Sequence, residues 1–156
     1  MLVIFGTDHA GFEMKEKLIS FVSGLGYETE DKGAYSYEES DDYPDFVIPV
    51  AREVSENPDS VKGIVLGASG QGEAMVANRF PNVRAVVFMG PLSLKEGDGS
   101  DDVIRLSREH NNSNILSLGA GFLSEKEAKE AVELWLKTPF SGEERHIRRI
   151  GKMEST

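Results

Sequence analysis

Short apolar runs alternate with longer amphipathic stretches along the whole chain. The runs are rich in β-branched residues and stand between turn-forming residues, a pattern typical of strands buried on both faces. The stretches between them place apolar side chains three and four residues apart, as one face of a helix does. The predicted strands are Leu2–Phe5, Tyr27–Asp31, Ile64–Leu66, Arg84–Phe88 and Ile115–Leu118.

Helices are predicted between these strands, with start and stop signals at several of their ends. Gly26 is a plausible C-cap, Pro44 suits a first helical position, and Ser124 with Glu127 forms a capping-box pattern. The predicted helices cover Phe12–Leu25, Pro44 to near Asn57-Pro58, a segment from Glu73, a segment through Arg105-Leu106 that ends at Glu109-His110-Asn111-Asn112, and Ser124 to about Lys137. A last, basic helix at 141–156 is expected to leave the domain body and to pack on a partner subunit.

This alternation predicts one α/β domain of residues 1–156, a doubly wound three-layer sandwich with a five-stranded parallel, Rossmann-like sheet. Ligands of such domains collect at the carboxyl ends of the strands. Asp8 and the loop at 67–73 both follow strands and should therefore share one edge of the sheet. His110 precedes a strand, so it should lie at the opposite edge and could join the same site only from a neighbouring subunit.

The loop at 67–72 combines three glycines with small neighbours, which leaves its backbone N–H groups free to surround an anion or a developing oxyanion. It matches neither G-x-x-x-x-G-K-[ST] nor G-x-G-x-x-G, so by itself it indicates only a phosphate or enolate site. Glu73 ends the loop. It either favours the dipole of the helix that follows or acts as a catalytic base, and spacing alone leaves both open.

Composition narrows the class of protein. The chain has no cysteine, which excludes a disulfide framework, a thiol nucleophile and a thiolate metal site. It has neither a long apolar run nor a basic segment before Leu2–Phe5, so a soluble cytoplasmic protein without membrane contact is expected. The net charge of −10 argues against general nucleic-acid binding. Arg145–Lys152 nevertheless holds four cations and no acid, either as a solvated helix face or as a binding site for an anion.

Five separated signatures then coincide: Thr7–Glu13 (TDHAGFE), Asp42–Pro44 (DYP), Gly67–Glu73 (GASGQGE) with Ala77-Asn78, Arg108–Asn111 (REHN) and Arg145–Arg149 (RHIRR). Together they resemble the type B ribose-5-phosphate isomerases and the related galactose-6-phosphate isomerase subunits, over nearly the whole chain. The resemblance implies interconversion of aldose and ketose phosphates through an enediolate, without a metal or cofactor. It also implies homodimers or dimers of dimers that share active sites between subunits.

The resemblance implies roles for individual residues. Gly67 occupies the position where many members carry a cysteine base, and Glu73 occupies the position of the glutamate base of other members. Ser69 would move a proton between two substrate oxygens, and Asp8 or His110 would open the sugar ring. The implied substrate ligands are His9, Arg145 and Arg149 for the phosphate, with Tyr43, Gly67, Gly70, Gln71, Gly72 and Asn111. Simpler interpretations without a catalytic or binding role exist for three of these residues. Asp8 could cap a helix or turn, His110 could lie exposed at a helix end, and Tyr43 could serve packing.

Two departures from the family leave the substrate open. Gly121 stands where an arginine that contacts phosphate is expected, and the connection Met89–Asp102 is long. Ribose 5-phosphate is the first interpretation, and a hexose 6-phosphate of the allose or galactose type is the second. A non-catalytic phosphosugar- or nucleotide-binding protein is the alternative of another class. Glu73 discriminates against it, because a carboxylate aimed at an anion weakens simple binding.

Overall fold

The computed structural model describes residues 1–91 and 102–155, and none of the helices in these ranges is long and apolar enough to cross a membrane. The strands are β1 Leu2–Thr7, β2 Glu28–Asp31, β3 Val61–Gly67, β4 Ala85–Phe88 and β5 Ile115–Gly119. The helices are α1 Phe12–Gly24, α2 Tyr43–Glu56, α3 Gln71–Ala77, α4 Asp102–Glu109, α5 Glu125–Lys137 and α6 Glu144–Glu154, with a short 3-10 helix at His9–Gly11.

The strands form a single parallel sheet in the order β2-β1-β3-β5-β4, which confirms the predicted doubly wound α/β class. The register pairs Thr7 with Leu66 and Gly67 with Gly119, so β1, β3 and β5 end at the same level. The strand order reverses between β1 and β3, the place where open α/β sheets leave a crevice for ligands.

Two hydrophobic cores lie on opposite faces of this sheet. Helices α1, α4 and α5 cover one face, where Trp135 is fully buried, and α2 and α3 cover the other, where Val47, Val50 and Val54 are fully buried. The predicted capping box of Ser124 and Glu127 is present at the start of α5. The predicted capping box of α5 and the predicted apolar faces are therefore confirmed, whereas the C-cap of α1 is Leu25, with Gly26 directly after it, and Pro44 is the second residue of α2.

Residues 92–101, most of the long connection predicted at Met89–Asp102, lie outside the described residues. Helix α6 meets its own subunit through His146, which stacks on His110, and through an ion pair between Arg84 and Glu154. Most other side chains of α6 are exposed. Its packing on a partner subunit stays a prediction.

Two lysines are buried in the domain, a feature that hydropathy patterns do not predict. Lys15 of α1 is fully buried and pairs with Asp31 and with Glu16, the latter at 2.9 Å. Lys62 of β3 is 7% exposed and has no acidic partner in the described residues; its Nζ lies 5.0 Å from the centre of the Trp135 ring. Burial, with a smaller effect of the Arg108 charge, lowers the pKa of Lys62 to about 8.

We expect Lys62→Met to stabilise the protein at neutral pH. The pKa in the folded protein lies below the value of 10.5 in the unfolded chain, so a charged Lys62 costs stability below pH 8, and the cost declines as the pH rises from 8 to 10.5. The pKa shift corresponds to about 3 kcal/mol, and the lost cation–π contact reduces the gain to about 2 kcal/mol. Urea unfolding at pH 7 and pH 9.5, at one protein concentration, measures the gain.

Lys15→Met is the matched control, because it removes the same charge from a site that has carboxylate partners. It should lower the free energy of unfolding by leaving the partly buried carboxylate of Asp31 without its cation. A Lys62→Met protein that is no more stable than wild type at pH 7 would contradict the expected cost of Lys62.

Candidate active site

Two buried carboxylates lie at the carboxyl ends of β1 and β3. Asp8 follows β1 and caps the 3-10 helix, because its Oδ1 accepts a hydrogen bond from the Ala10 N–H at 3.0 Å. Glu73 lies in the first turn of α3. Their exposed fractions are only 8% for Asp8 and 4% for Glu73. The simpler interpretation of Asp8 as a cap is thus confirmed, and it is compatible with a second role because Oδ2 is not used by the cap.

The Glu73 carboxylate lies directly against Cα of Gly67. A methyl group built on Gly67 would overlap Oε1 and Cδ of Glu73 and would come within 2.8 Å of Oε2. The space beside the end of β3 that a side chain at position 67 would fill is therefore occupied by the carboxylate of residue 73. A glutamate that served only the helix dipole would have no need of this buried position, since solvent would hold it at lower cost.

Burial shifts the pKa of both carboxylates. It raises the pKa of Glu73, and the nearby negative charge of Asp8 raises it further. Burial also raises the pKa of Asp8, against the lowering effect of the Ala10 amide. A carboxylate with a raised pKa is a stronger base and lies closer to the pH at which a general base is most effective.

The glycine loop between β3 and α3 is held in shape by close backbone approaches. Gly70 adopts φ +76°, a conformation that suits glycine, and its carbonyl accepts a hydrogen bond from Ser117 Oγ at 2.6 Å. Ser69 Oγ accepts from the Gln71 N–H at 3.4 Å. The Tyr43 ring packs so closely over Gly72 that a methyl group there would lie 2.8 Å from its hydroxyl oxygen. Tyr43 thus both packs at the start of α2 and borders the loop.

Gly121 packs closely against the backbone of the glycine loop. Its N–H donates to the Ala68 carbonyl at 3.0 Å, and a methyl group built on Gly121 would approach that oxygen to 2.9 Å. A larger residue at this position would require the Ala68 carbonyl, and with it the glycine loop, to move.

His9 lies beside Asp8, next to an acidic residue that the sequence patterns do not single out. Asp41 Oδ1 accepts a hydrogen bond from the His9 N–H at 3.0 Å and lies 2.6 Å from the ring Nδ1. Ligand atoms of Asp8, His9 and Asp41 all lie within 4.8 Å of one another. The hydrogen bond between the His9 ring and Asp41 Oδ1 accounts for the closeness of these two residues.

The remaining predicted site residues gather at the opposite edge of the sheet. His110 follows α4 and precedes β5, and its ring stacks on that of His146 with centres 4.2 Å apart. Burial, followed by the charge of His110, lowers the pKa of His146, and its Nε2 is buried without a hydrogen-bond partner in the described residues. Asn111, Arg145 and Arg149 are exposed around this stack.

The predicted site residues thus fall into two groups on this chain, here called half-sites. The first, at the carboxyl edge, holds Asp8, His9, Tyr43, Glu73 and the glycine loop; the second, at the amino edge, holds His110, Asn111, Arg145 and Arg149. Five residues of β5 separate them, roughly 16 Å. Sequence reasoning missed Asp41 and His146. Only the RHIRR signature, which includes His146, offered a signal for either of them.

Comparison with known proteins identifies the family of the chain. Residues 3–153 match the family model described as Ribose/Galactose Isomerase. The chain is 39% identical over 150 residues to ribose-5-phosphate isomerase B of Mycolicibacterium paratuberculosis (96% of this chain, 87% of that protein) and 34% identical to its Escherichia coli counterpart (95% and 91%). The structure of Mycoplasma genitalium ribose-5-phosphate isomerase B with bound ribulose-5-phosphate superposes with a TM-score of 0.89 at 30% identity (99% and 94%). The chain therefore belongs to the ribose/galactose isomerase family.

Proposed function

We propose that this chain is an aldose–ketose isomerase that interconverts ribose 5-phosphate and ribulose 5-phosphate, with Glu73 as the base. One observation carries the proposal: the buried carboxylate of Glu73, whose pKa is raised, stands beside the backbone of the glycine loop. Removal of a proton from a carbon next to a carbonyl requires a placed base and donors for the oxyanion, and this edge of the sheet has both.

The steps follow from the groups at the edge of the sheet. After the ring opens, with Asp8 or His110 transferring the proton, the Glu73 carboxylate takes the proton from C2 of the aldose. The electron pair moves to O1, which the amides of the glycine loop stabilise as an enediolate. Ser69 moves a proton between O1 and O2, and Glu73 returns its proton to C1, which completes the ketose without a cofactor.

The complete site is formed by two subunits in this proposal. One subunit provides Asp8, His9, Tyr43, Ser69 and Glu73, and its partner provides His110, Asn111, Arg145 and Arg149. The separation of the half-sites by a full strand supports this assignment, because one pentose phosphate is too short to reach both edges of a single sheet. The protein works as a cytoplasmic homodimer, or as a dimer of such dimers, in which a two-fold axis creates two sites at once.

The direct test is a coupled assay of the purified protein with ribose 5-phosphate, allose 6-phosphate and galactose 6-phosphate. We expect kcat/KM to be highest for ribose 5-phosphate. A higher value for either hexose phosphate would assign the substrate to the second candidate, and binding without turnover of any substrate would favour a non-catalytic binding protein.

Arg149→Ala should raise KM for the sugar phosphate and leave kcat nearly unchanged. Arg149 is exposed and makes no hydrogen bond or ion pair with any described residue, so it is free to bind an anion on a partner subunit. The phosphate is remote from the reacting carbons, and a lost charged hydrogen bond should cost about 1.5–3 kcal/mol in binding. Steady-state kinetics measure both constants.

Arg148→Ala is the control, since it removes the same charge from the neighbouring exposed position. General attraction of the anion would be weakened equally in both variants. A similar rise of KM in the two variants, or a collapse of kcat in Arg149→Ala, would contradict a direct phosphate contact.

A further inference from the structure

Asp41 holds His9 by two hydrogen bonds through a single oxygen. It lies in the polar connection between β2 and α2, 32 residues after His9 in the chain. Its Oδ1 fixes both the backbone N–H of His9, at 3.0 Å, and the ring Nδ1, at 2.6 Å. The Asp41 side chain is 12% exposed and that of His9 is 30% exposed. The pair is therefore covered on the carboxylate side and open on the imidazole side.

We propose that Asp41 is a positioning residue that keeps His9 as an imidazolium and turns its Nε2–H towards the phosphate of the substrate. This rests on the proposed function, in which His9 is a phosphate ligand. A carboxylate accepts only from a protonated Nδ1, and a phosphate oxygen accepts only from a protonated Nε2. With both neighbours anionic, the ring must carry both protons. Neutral His9 would turn a lone pair towards one of the two anions.

The charges around the ring agree with this state. The second oxygen of Asp41, Oδ2, is buried and has no hydrogen-bond partner within residues 1–91 and 102–155, so His9 is the basic group that offsets its charge. The hydrogen bond to Asp41 raises the pKa of His9, with smaller contributions from Asp8 and Glu39. A cavity of about 230 Å³ opens beside the ring and is lined by His9, Ala10, Glu13, Met14, Lys17, Tyr37 and Ala120. Lys17 is the one other basic group on this wall and is bound to Glu125 at 3.1 Å.

Titration of the histidine rings by NMR tests the proposal without any enzyme assay. The chain has only three histidines, so His9→Gln assigns the His9 signals. We expect the His9 pKa of the wild type to lie above 6.5 and to fall in Asp41→Asn, which keeps the accepting oxygen and loses the charge. Inorganic phosphate should shift the His9 signals of the wild type. A wild-type pKa below 6.5, or one that does not change in Asp41→Asn, would overturn the proposal.

Kinetics test the same proposal at the substrate. For Asp41→Asn, KM for ribose 5-phosphate should rise about tenfold at pH 8 with kcat within twofold, because a charged donor to phosphate becomes neutral. The ratio of variant to wild-type KM should approach one at pH 6, where His9 is protonated in the variant as well as in the wild type. In a His9→Gln background, Asp41→Asn should have no further effect. An equal rise at pH 6 and pH 8, or an equal rise without His9, would show that Asp41 is merely structural.

Glu39→Gln is the matched control. It removes an acid from the same connection, but Glu39 is exposed and acts on His9 only through space, so its KM should stay within twofold of wild type. Failure of the underlying function is recognised separately. A wild-type protein without isomerase activity would reject the proposed function, whereas His9 signals that inorganic phosphate does not move would reject the phosphate role of His9. The change of the His9 pKa in Asp41→Asn would still decide the link to Asp41.

Discussion

Glu73→Gln should lower kcat at least about 100-fold while substrate still binds. The change keeps the size of the side chain and much of its hydrogen bonding but removes the basic lone pair, so only the proton transfer should be lost. Steady-state kinetics and binding of an unreactive sugar phosphate measure the two effects separately. A Glu73→Gln enzyme with near-normal turnover would remove Glu73 from the chemistry.

Gly67→Ala offers an independent check of the same base, because it leaves the carboxylate in the chain and displaces it. The added methyl group would overlap Oε1 of Glu73, so the carboxylate must leave its place and kcat should also fall. If both variants act through one group, the double variant should be no slower than Glu73→Gln alone. Additive losses would show that Gly67→Ala damages the loop in another way.

The raised pKa of Glu73 should also shift the pH dependence of kcat. The base works only when it is ionised, so the acid limb of kcat should lie at a higher pH than an ordinary carboxyl group would give. A limb at or below the ordinary value of 4.5 would contradict a buried carboxylate base.

Two inactive variants should restore activity when their subunits are exchanged. Glu73 lies at the carboxyl edge of the sheet and His110 before β5, so a site that uses both must draw them from different subunits. In a hybrid of Glu73→Gln with His110→Ala, one site carries both substitutions and the other carries neither. Random pairing makes half of the dimers hybrids, and activity should therefore return to about a quarter of wild type.

The control mixture combines Glu73→Gln with Ser69→Ala, two residues of the same half-site. Every site of that hybrid keeps one substitution, so exchange should restore nothing. Mass spectrometry of differently labelled subunits establishes that exchange has occurred. Recovery in the control mixture, or no recovery with His110→Ala after complete exchange, would reject the assignment of the half-sites.

The sequence predicted those features that follow from local periodicity and from topology. The order of strands and helices, the buried face of α5 with Trp135, and the common edge of Asp8 and the glycine loop all agree with the structure. Each depends on repeating patterns or on parallel strands ending together, which a single sequence displays.

Contacts between distant, non-periodic residues could not be predicted in this way. The bond between His9 and Asp41 joins a strand end to a polar connection that has no pattern of its own. The position of the Glu73 carboxylate depends on the exact path of the loop, and the stacking of His110 on His146 depends on where α6 turns back. Hydropathy does not predict the burial of Lys15 and Lys62, because the surroundings of these lysines rather than their own side chains determine it.

The close approach of Glu73 to Gly67 has an evolutionary consequence. With this backbone, one small volume can hold a side chain of residue 67 or the carboxylate of residue 73, but not both. When evolution exchanges a base at position 67 for a base at position 73, no functional intermediate with both side chains in this volume is expected. The two positions are therefore expected to change together among relatives, glycine at 67 accompanying glutamate at 73.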